Sequence, residues 1–200
     1  MERFFPPSEL VLNDLGQVYH LALLSENISE KIILVGDPGR VEMVSSFFDK
    51  IIFKTNHREF STITGLYKGV KISVISSGIG TDNIDIVLNE IDALFNIDLE
   101  TRTTKRSLTQ LEIVRIGTCG LIQKERTLHS YILSTGAIGL DNVAHFYPLK
   151  YSDFESEILF NFKSELALPK EIQPYFVNAS ERMVSKFDSN KVTKGITVTA

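Results

Sequence analysis

Ile32-Ile33-Leu34-Val35-Gly36-Asp37-Pro38-Gly39-Arg40 is an apolar run that stops at a glycine, turns, and restarts on a charge. Four apolar positions bounded by turn residues read as a buried strand, and Gly-Asp-Pro-Gly reads as the turn feeding a helix. Pro38 suits a first helical position, where its missing N–H is no loss. The free N–H groups of such a helix start face an anion, and the glycines let the backbone come close to it. Alone, Asp-Pro-Gly is a common turn and nothing more.

A second segment changes the balance. Val114-Arg115-Ile116-Gly117-Thr118-Cys119-Gly120 sets an arginine in a run, Leu111 to Ile116, that otherwise reads as a buried strand. A buried guanidinium without a partner is costly, so Arg115 is expected to meet an anion, although Glu112 three residues earlier also permits a half-exposed strand face. Two glycines framing hydroxyl and thiol side chains at a strand's end suit the crevice where open α/β sheets bind ligands. Together the two segments point to an enzyme that handles inorganic phosphate.

Working outward, strands are expected at 32–36, 51–56, 60–67, 70–76, 111–117, 131–136, 174–178 and 195–199, and helices at 39–49, 82–95, 153–167 and 180–187. That order is α/β, read as a single domain over 1–200 with a central mixed β-sheet flanked by helices. In the helix from Asp82, Ile84, Val87, Leu88, Ile91, Leu94 and Phe95 keep one apolar face, and Asp82 is placed to cap its first turn. The preceding Gly78-Ile79-Gly80 is not a dinucleotide fingerprint. It lacks the third glycine, and Asp82 would repel a pyrophosphate. Residues 96–110 are polar and aperiodic and read as an exposed loop, with Arg102, Lys105 and Arg106 as solvated charges. Gly195-Ile196-Thr197-Val198-Thr199-Ala200 alternates like a strand that has only begun, as in a chain lacking its C-terminal portion.

With 200 residues and 43% apolar composition, the chain can bury one substantial core. Its net charge of −4 and the absence of any long Lys/Arg block argue against a nucleic-acid surface. One cysteine forms no internal disulfide, the N-terminus carries no apolar leader, and no apolar stretch is long enough for a bilayer. A cytoplasmic protein is expected, with no partnership with nucleic acid or membrane.

Five stretches, in order and at matching spacing, resemble the nucleoside phosphorylase family that includes uridine phosphorylase and bacterial purine nucleoside phosphorylase. They are Val18-Tyr19-His20-Leu21-Ala22-Leu23, Gly36-Asp37-Pro38-Gly39-Arg40-Val41, His57-Arg58-Glu59-Phe60, Ser77-Gly78-Ile79-Gly80 and Arg115-Ile116-Gly117-Thr118-Cys119-Gly120. The resemblance covers most of residues 17–150 and implies a phosphorylase-like fold. It implies that Gly36, Arg40, Arg115, Gly117 and Thr118 hold phosphate within one subunit, while Arg58 reaches it from a neighbour. Arg40, Arg58 and Arg115 would carry the catalysis. His20 would cross the same interface to the ribose 5′-hydroxyl, and Cys119 and Gly120 would lie against the base. A homodimer building a hexamer follows.

The implied activity is that of a pentosyltransferase. Phosphate attacks C1′ of a nucleoside, uridine favoured, releasing free base and ribose 1-phosphate. Inorganic phosphate is a co-substrate, and no metal or organic cofactor is called for. Thr81-Asp82-Asn83 departs from the family's usual Gly-Pro-Ser at this point. The residues that select the base lie beyond the family's counterpart of Thr197 to Ala200. Purine nucleoside phosphorylase, a same-fold nucleosidase and a non-catalytic binding homologue are the alternatives. The arginine set speaks against the nucleosidase.

Overall fold

In the computed structural model, which describes residues 3–124, 126–188 and 190–199, the opening apolar run forms strand β1 (Lys31–Val35). Readings that rest on Met1, Glu2 or Ala200 lie outside the described residues. The chain divides into two units, Met1–Thr118 and Cys119–Ala200.

In the first unit β1 is followed by α1 (Pro38–Ser45), β2 (Lys50–His57), β3 (Phe60–Tyr67), β4 (Val70–Ser76), α2 (Thr81–Asn96), β5 (Ile97–Asp98), β6 (Thr103–Thr104) and β7 (Glu112–Ile116). A five-stranded mixed sheet has the order β2-β3-β4-β1-β7, with β1 parallel to both β4 and β7 and β3 antiparallel to β2 and β4. Side chains alternate across β1, which separates two cores. Ile32 and Leu34 join Phe60, Ile75 and the α2 residues Val87, Ile91 and Leu94, whereas Val35 joins Val41, Ile63 and Val74 around α1. Each fully buried aliphatic or aromatic side chain contributes about 1.5–3 kcal/mol, so these clusters fix where both helices lie on the sheet.

Several details depart from the sequence reading. Leu88 is exposed and Ala93 is buried in its stead. Asp82 is not the cap of α2. That place falls to Gly80 at φ 98°, and Asp82 sits within the first turn, where its charge favours the helix dipole without a capping bond. α1 ends at Ser45, short of residue 49. The hydroxyls of Ser45 and Ser46 bond the carbonyls of Glu42 and Met43, which competes with the helix ladder at that turn.

Residues 96–110 contain the short β5–β6 pair rather than an unstructured loop. Its cations are not simply solvated: Arg102 donates from Nη1 to the Leu10 carbonyl at 2.6 Å, and Lys105 donates from Nζ to the Phe95 carbonyl at 2.9 Å. Asn96 closes the segment by accepting from Thr109 N at 2.7 Å.

The second unit centres on β8 (Ile132–Gly139), with β10 (Thr193–Thr199) parallel on one side and β9 (Tyr175–Asn178) antiparallel on the other. Helix α3 (Asp153–Glu165) opens with a reciprocal cap between Ser152 and Glu155. The backbone N–H of Ser152 is the main cause holding the Glu155 carboxyl below its ordinary range. Helix α4 (Glu181–Val184) is a single turn. The Tyr175 hydroxyl donates to Asp141, and burial, reinforced by that carboxylate, pushes the phenol up to about 12. The α/β class with mixed sheets and flanking helices agrees with the sequence reading. No helix among the described residues is long and apolar enough to cross a membrane.

Candidate active site

Three parallel strands end level with one another. Val35 is in register with Ser76 of β4 and with Ile116 of β7, so the chain leaves adjacent strands through Gly36, Ser77-Gly78 and Gly117. Such carboxyl ends are where open α/β sheets present loops to ligands. Ser77 N donates to the Val35 carbonyl at 2.8 Å and ties two of the turns together.

Arg115 stands opposite Leu34, one residue before the end of β7. Its guanidinium folds back over its own turn: a Cβ placed on Gly117 would lie 2.8 Å from Nη1, and one on Gly36 would lie 3.9 Å from Nη2. The two glycines thus make the floor on which the arginine rests. Arg115 is nevertheless exposed, and the expectation of a buried guanidinium is corrected. β7 is the outermost strand of its sheet, so the end of this strand stands open to water.

The turn into α1 also differs in one respect. Pro38 holds the first helical position, but the Asp37 carboxylate caps the helix and takes the Gly39 N–H at 2.7 Å. One of the N–H groups expected to face an anion is therefore already engaged. Arg40 follows in the same turn, half-buried, with its N–H on the Asp37 carbonyl at 3.0 Å. Neither Arg40 nor Arg115 has a carboxylate partner among the described residues.

Arg58 and His20 form a second patch in the same unit. Arg58 occupies the β2–β3 turn at φ 56°, exposed, with Nη2 donating to the Tyr19 hydroxyl at 3.2 Å. A depression of about 290 Å³ lies beside it, lined by Pro38, Gly39, Arg58, Glu59, Phe60 and Ser61 among others, so Arg58 and the first turn of α1 face common space within one chain. Tyr19 in turn meets the His20 imidazole edge-on at 5.1 Å. His20 Nδ1 lies 2.7 Å from Glu90 Oε1 on α2, and the His20 carbonyl accepts from His57 Nδ1 at 2.9 Å.

The structure therefore gathers Gly36, Gly117 and Arg115, places Arg40 at the start of α1, and pairs Arg58 with His20 through Tyr19. Thr118, Cys119 and Gly120 are exposed, the last two in the second unit. Glu90 escaped the sequence reading, and Tyr19 entered it only as a member of the Val18–Leu23 stretch, with no role assigned. Glu90 is 70 residues from His20 and sits on α2 with no local signal linking the two.

Comparison with known proteins shows the family of the chain. The phosphorylase superfamily profile matches residues 30–200. Uridine phosphorylase of Thermococcus kodakarensis is 32% identical over 143 residues, covering 72% of this chain and 47% of the relative. A DeoD-type purine nucleoside phosphorylase of Oceanobacillus iheyensis is 30% identical over 59% of this chain and 45% of its own length. The chain spans about half the length of these sequence relatives. Among solved structures, a Trypanosoma brucei nucleoside phosphorylase described as showing uridine phosphorylase activity superposes with a TM-score of 0.85 at 30% identity, covering 96% of this chain and 68% of that one. The Toxoplasma gondii purine nucleoside phosphorylase shares the fold, with a TM-score of 0.61 at 21% identity over 94% of this chain and 64% of that one. With that profile matched over residues 30–200, this chain belongs to the phosphorylase superfamily.

Proposed function

We propose that the protein is a nucleoside phosphorylase that cleaves the N-glycosidic bond of uridine with inorganic phosphate, giving uracil and ribose 1-phosphate. The observation that carries this reading is Arg115 lying across Gly117 and beside Gly36 at the ends of three parallel strands. It puts a guanidinium with no carboxylate partner among the described residues where an open α/β sheet takes its ligand. The uridine phosphorylases among the relatives support the choice of substrate.

The chemistry asks for electrostatics more than for covalent steps. A doubly charged phosphate is stripped of water and aimed at C1′ as that carbon takes on oxocarbenium character. Arg115 and Arg40, with Arg58 supplied across a subunit interface, give paired charge-assisted bonds that set the direction of the nucleophile. The Gly36 and Gly117 turns and the Thr118 hydroxyl fill its remaining acceptor positions. The phosphate oxygen forms the bond to C1′, the C1′–N bond breaks, and the electron pair leaves with the base. His20 bonds the ribose 5′-hydroxyl, which holds C1′ in line with the nucleophile. The reaction needs no metal or organic cofactor, and a cytoplasmic homo-oligomer fits its substrates.

The test incubates the purified protein with uridine, and in parallel with inosine, with and without phosphate. Phosphate-dependent release of uracil with ribose 1-phosphate is expected. Free ribose formed regardless of phosphate would identify a nucleosidase, preference for inosine would move the substrate to purines, and no product with either nucleoside would refute the enzyme reading.

A further inference from the structure

We infer that Glu90 is a positioning residue that sets the tautomer of His20, holding the imidazole proton on Nδ1 and leaving Nε2 as the atom that meets a ligand hydroxyl. The inference rests on the proposed role of His20 at the ribose 5′-hydroxyl.

Three donors converge on this one carboxylate. Glu90 accepts from the His20 backbone N–H at 2.9 Å, from the Leu21 backbone N–H at 2.8 Å and from His20 Nδ1 at 2.7 Å. The two backbone groups can only donate and a carboxylate only accepts, so the ring nitrogen facing it must carry the proton. In the neutral imidazole Nε2 is then bare, an acceptor suited to an O–H. The Glu90 side chain is 11% exposed and that of His20 28%, which leaves the ring reachable while its anchor is shielded.

The backbone of His20 is held as well. His57 Nδ1 bonds the His20 carbonyl, which fixes the backbone on which the imidazole turns. A carbonyl also only accepts, so His57 carries its proton on Nδ1. Glu90 sits on α2 between the core residues Val87 and Ile91, so its own position is set by buried packing and not by a flexible loop. The outward imidazole nitrogen is thus fixed by a helix that makes no contact of its own with the hydroxyl.

Two measurements separate this role from a staple that merely holds the 19–21 segment. The first is the ¹⁵N spectrum of the His20 imidazole in the protein without substrate. The Nδ1–H form is expected, with loss of that preference in Glu90→Gln, and an Nε2–H ring in the unaltered protein overturns the inference whether or not the protein turns over. The second compares uridine with 5′-deoxyuridine, which lacks the hydroxyl. Glu90→Gln is expected to lower kcat/KM for uridine roughly tenfold while changing that for 5′-deoxyuridine by less than about twofold. Equal losses on both substrates would reduce Glu90 to a structural anchor. Absence of phosphate-dependent turnover in the unaltered protein would instead strike the phosphorylase reading, with the imidazole spectrum still deciding the tautomer.

Discussion

The guanidinium of Arg58 lies over the ring of Tyr19, its Cζ 5.0 Å from the centroid, while Nη2 donates to the phenol oxygen at 3.2 Å. Stacking and hydrogen bond together aim a side chain that would otherwise sweep freely from an exposed turn. Tyr19→Phe keeps the stacking and drops the bond, and should raise the phosphate KM about two- to fivefold; Tyr19→Ala loses both and should raise it roughly tenfold. Steady-state rates with phosphate varied test this. An unchanged phosphate KM in Tyr19→Ala would count against Arg58 as a phosphate ligand.

Arg115→Ala removes the charge-assisted contact proposed for phosphate and should weaken phosphate roughly ten- to a hundredfold. Because Arg115 is exposed at the outermost strand, its loss should leave thermal stability nearly unchanged. Arg115→Lys should rescue little, since an ammonium cannot reproduce the planar two-point grip of a guanidinium. Phosphate titrations of turnover together with melting curves decide both points.

Gly117→Ala tests the floor beneath that guanidinium. The new methyl would meet Arg115 Nη1 at 2.8 Å, closer than van der Waals contact allows, and the flexible arginine would give way before the backbone does. A displaced but intact arginine should cost roughly tenfold in phosphate KM, less than its removal. A loss confined to thermal stability would show that Gly117 serves the fold and not the anion.

Much of the framework was legible because its signals are local. β1, β3 and β4 are short apolar or hydroxyl-bearing runs bounded by turn residues, and α2 carries its core face at helical spacing. What depends on neighbours was not. Arg115 read as buried because its flanking residues are apolar, but burial of β7 is decided by its outermost place in the sheet, which no local pattern records. Asp37 and Asp82 differ in the same way, since capping turns on which residue starts the helix and only one of them does. Arg102 found the Leu10 carbonyl 92 residues away, and Glu90 found His20 across 70. Residue type gave no hint of either partner.

Tyr175 gives the second unit a pH signature. Its phenol is pushed from 10.0 to about 12, chiefly by burial and then by Asp141, so the folded state holds that proton more tightly than the unfolded chain. The resulting stability is fully present below pH 10 and disappears as pH rises toward 12. Melting temperature should therefore fall across that window. Tyr175→Phe, about 1 kcal/mol less stable at neutral pH through its lost hydrogen bond, should show a shallower decline there. Parallel curves for the two proteins would dismiss Tyr175 as the responsible group.

The assignment of Arg58 to a neighbouring subunit can be tested by complementation. Within one chain Arg58 and the Pro38-Gly39 turn line the same depression, so the geometry also offers a route by which Arg58 could serve its own subunit's helix start. The two arrangements give opposite results when inactive chains are mixed. If Arg58 acts across the interface, a dimer of one Arg58→Ala chain with one Arg40→Ala chain contains one site built from an intact Arg40 and the partner's intact Arg58, and activity should return to a fraction of the unaltered enzyme's. If Arg58 acts within its own chain, every site in the mixture lacks one arginine and activity should stay at the level of the separate variants. Subunit exchange is verified by mass differences between labelled chains, so that silence in the assay is not failure to mix. Recovery of activity on exchange is the expected outcome, and its absence among proven mixed dimers would move Arg58 into the site of its own chain.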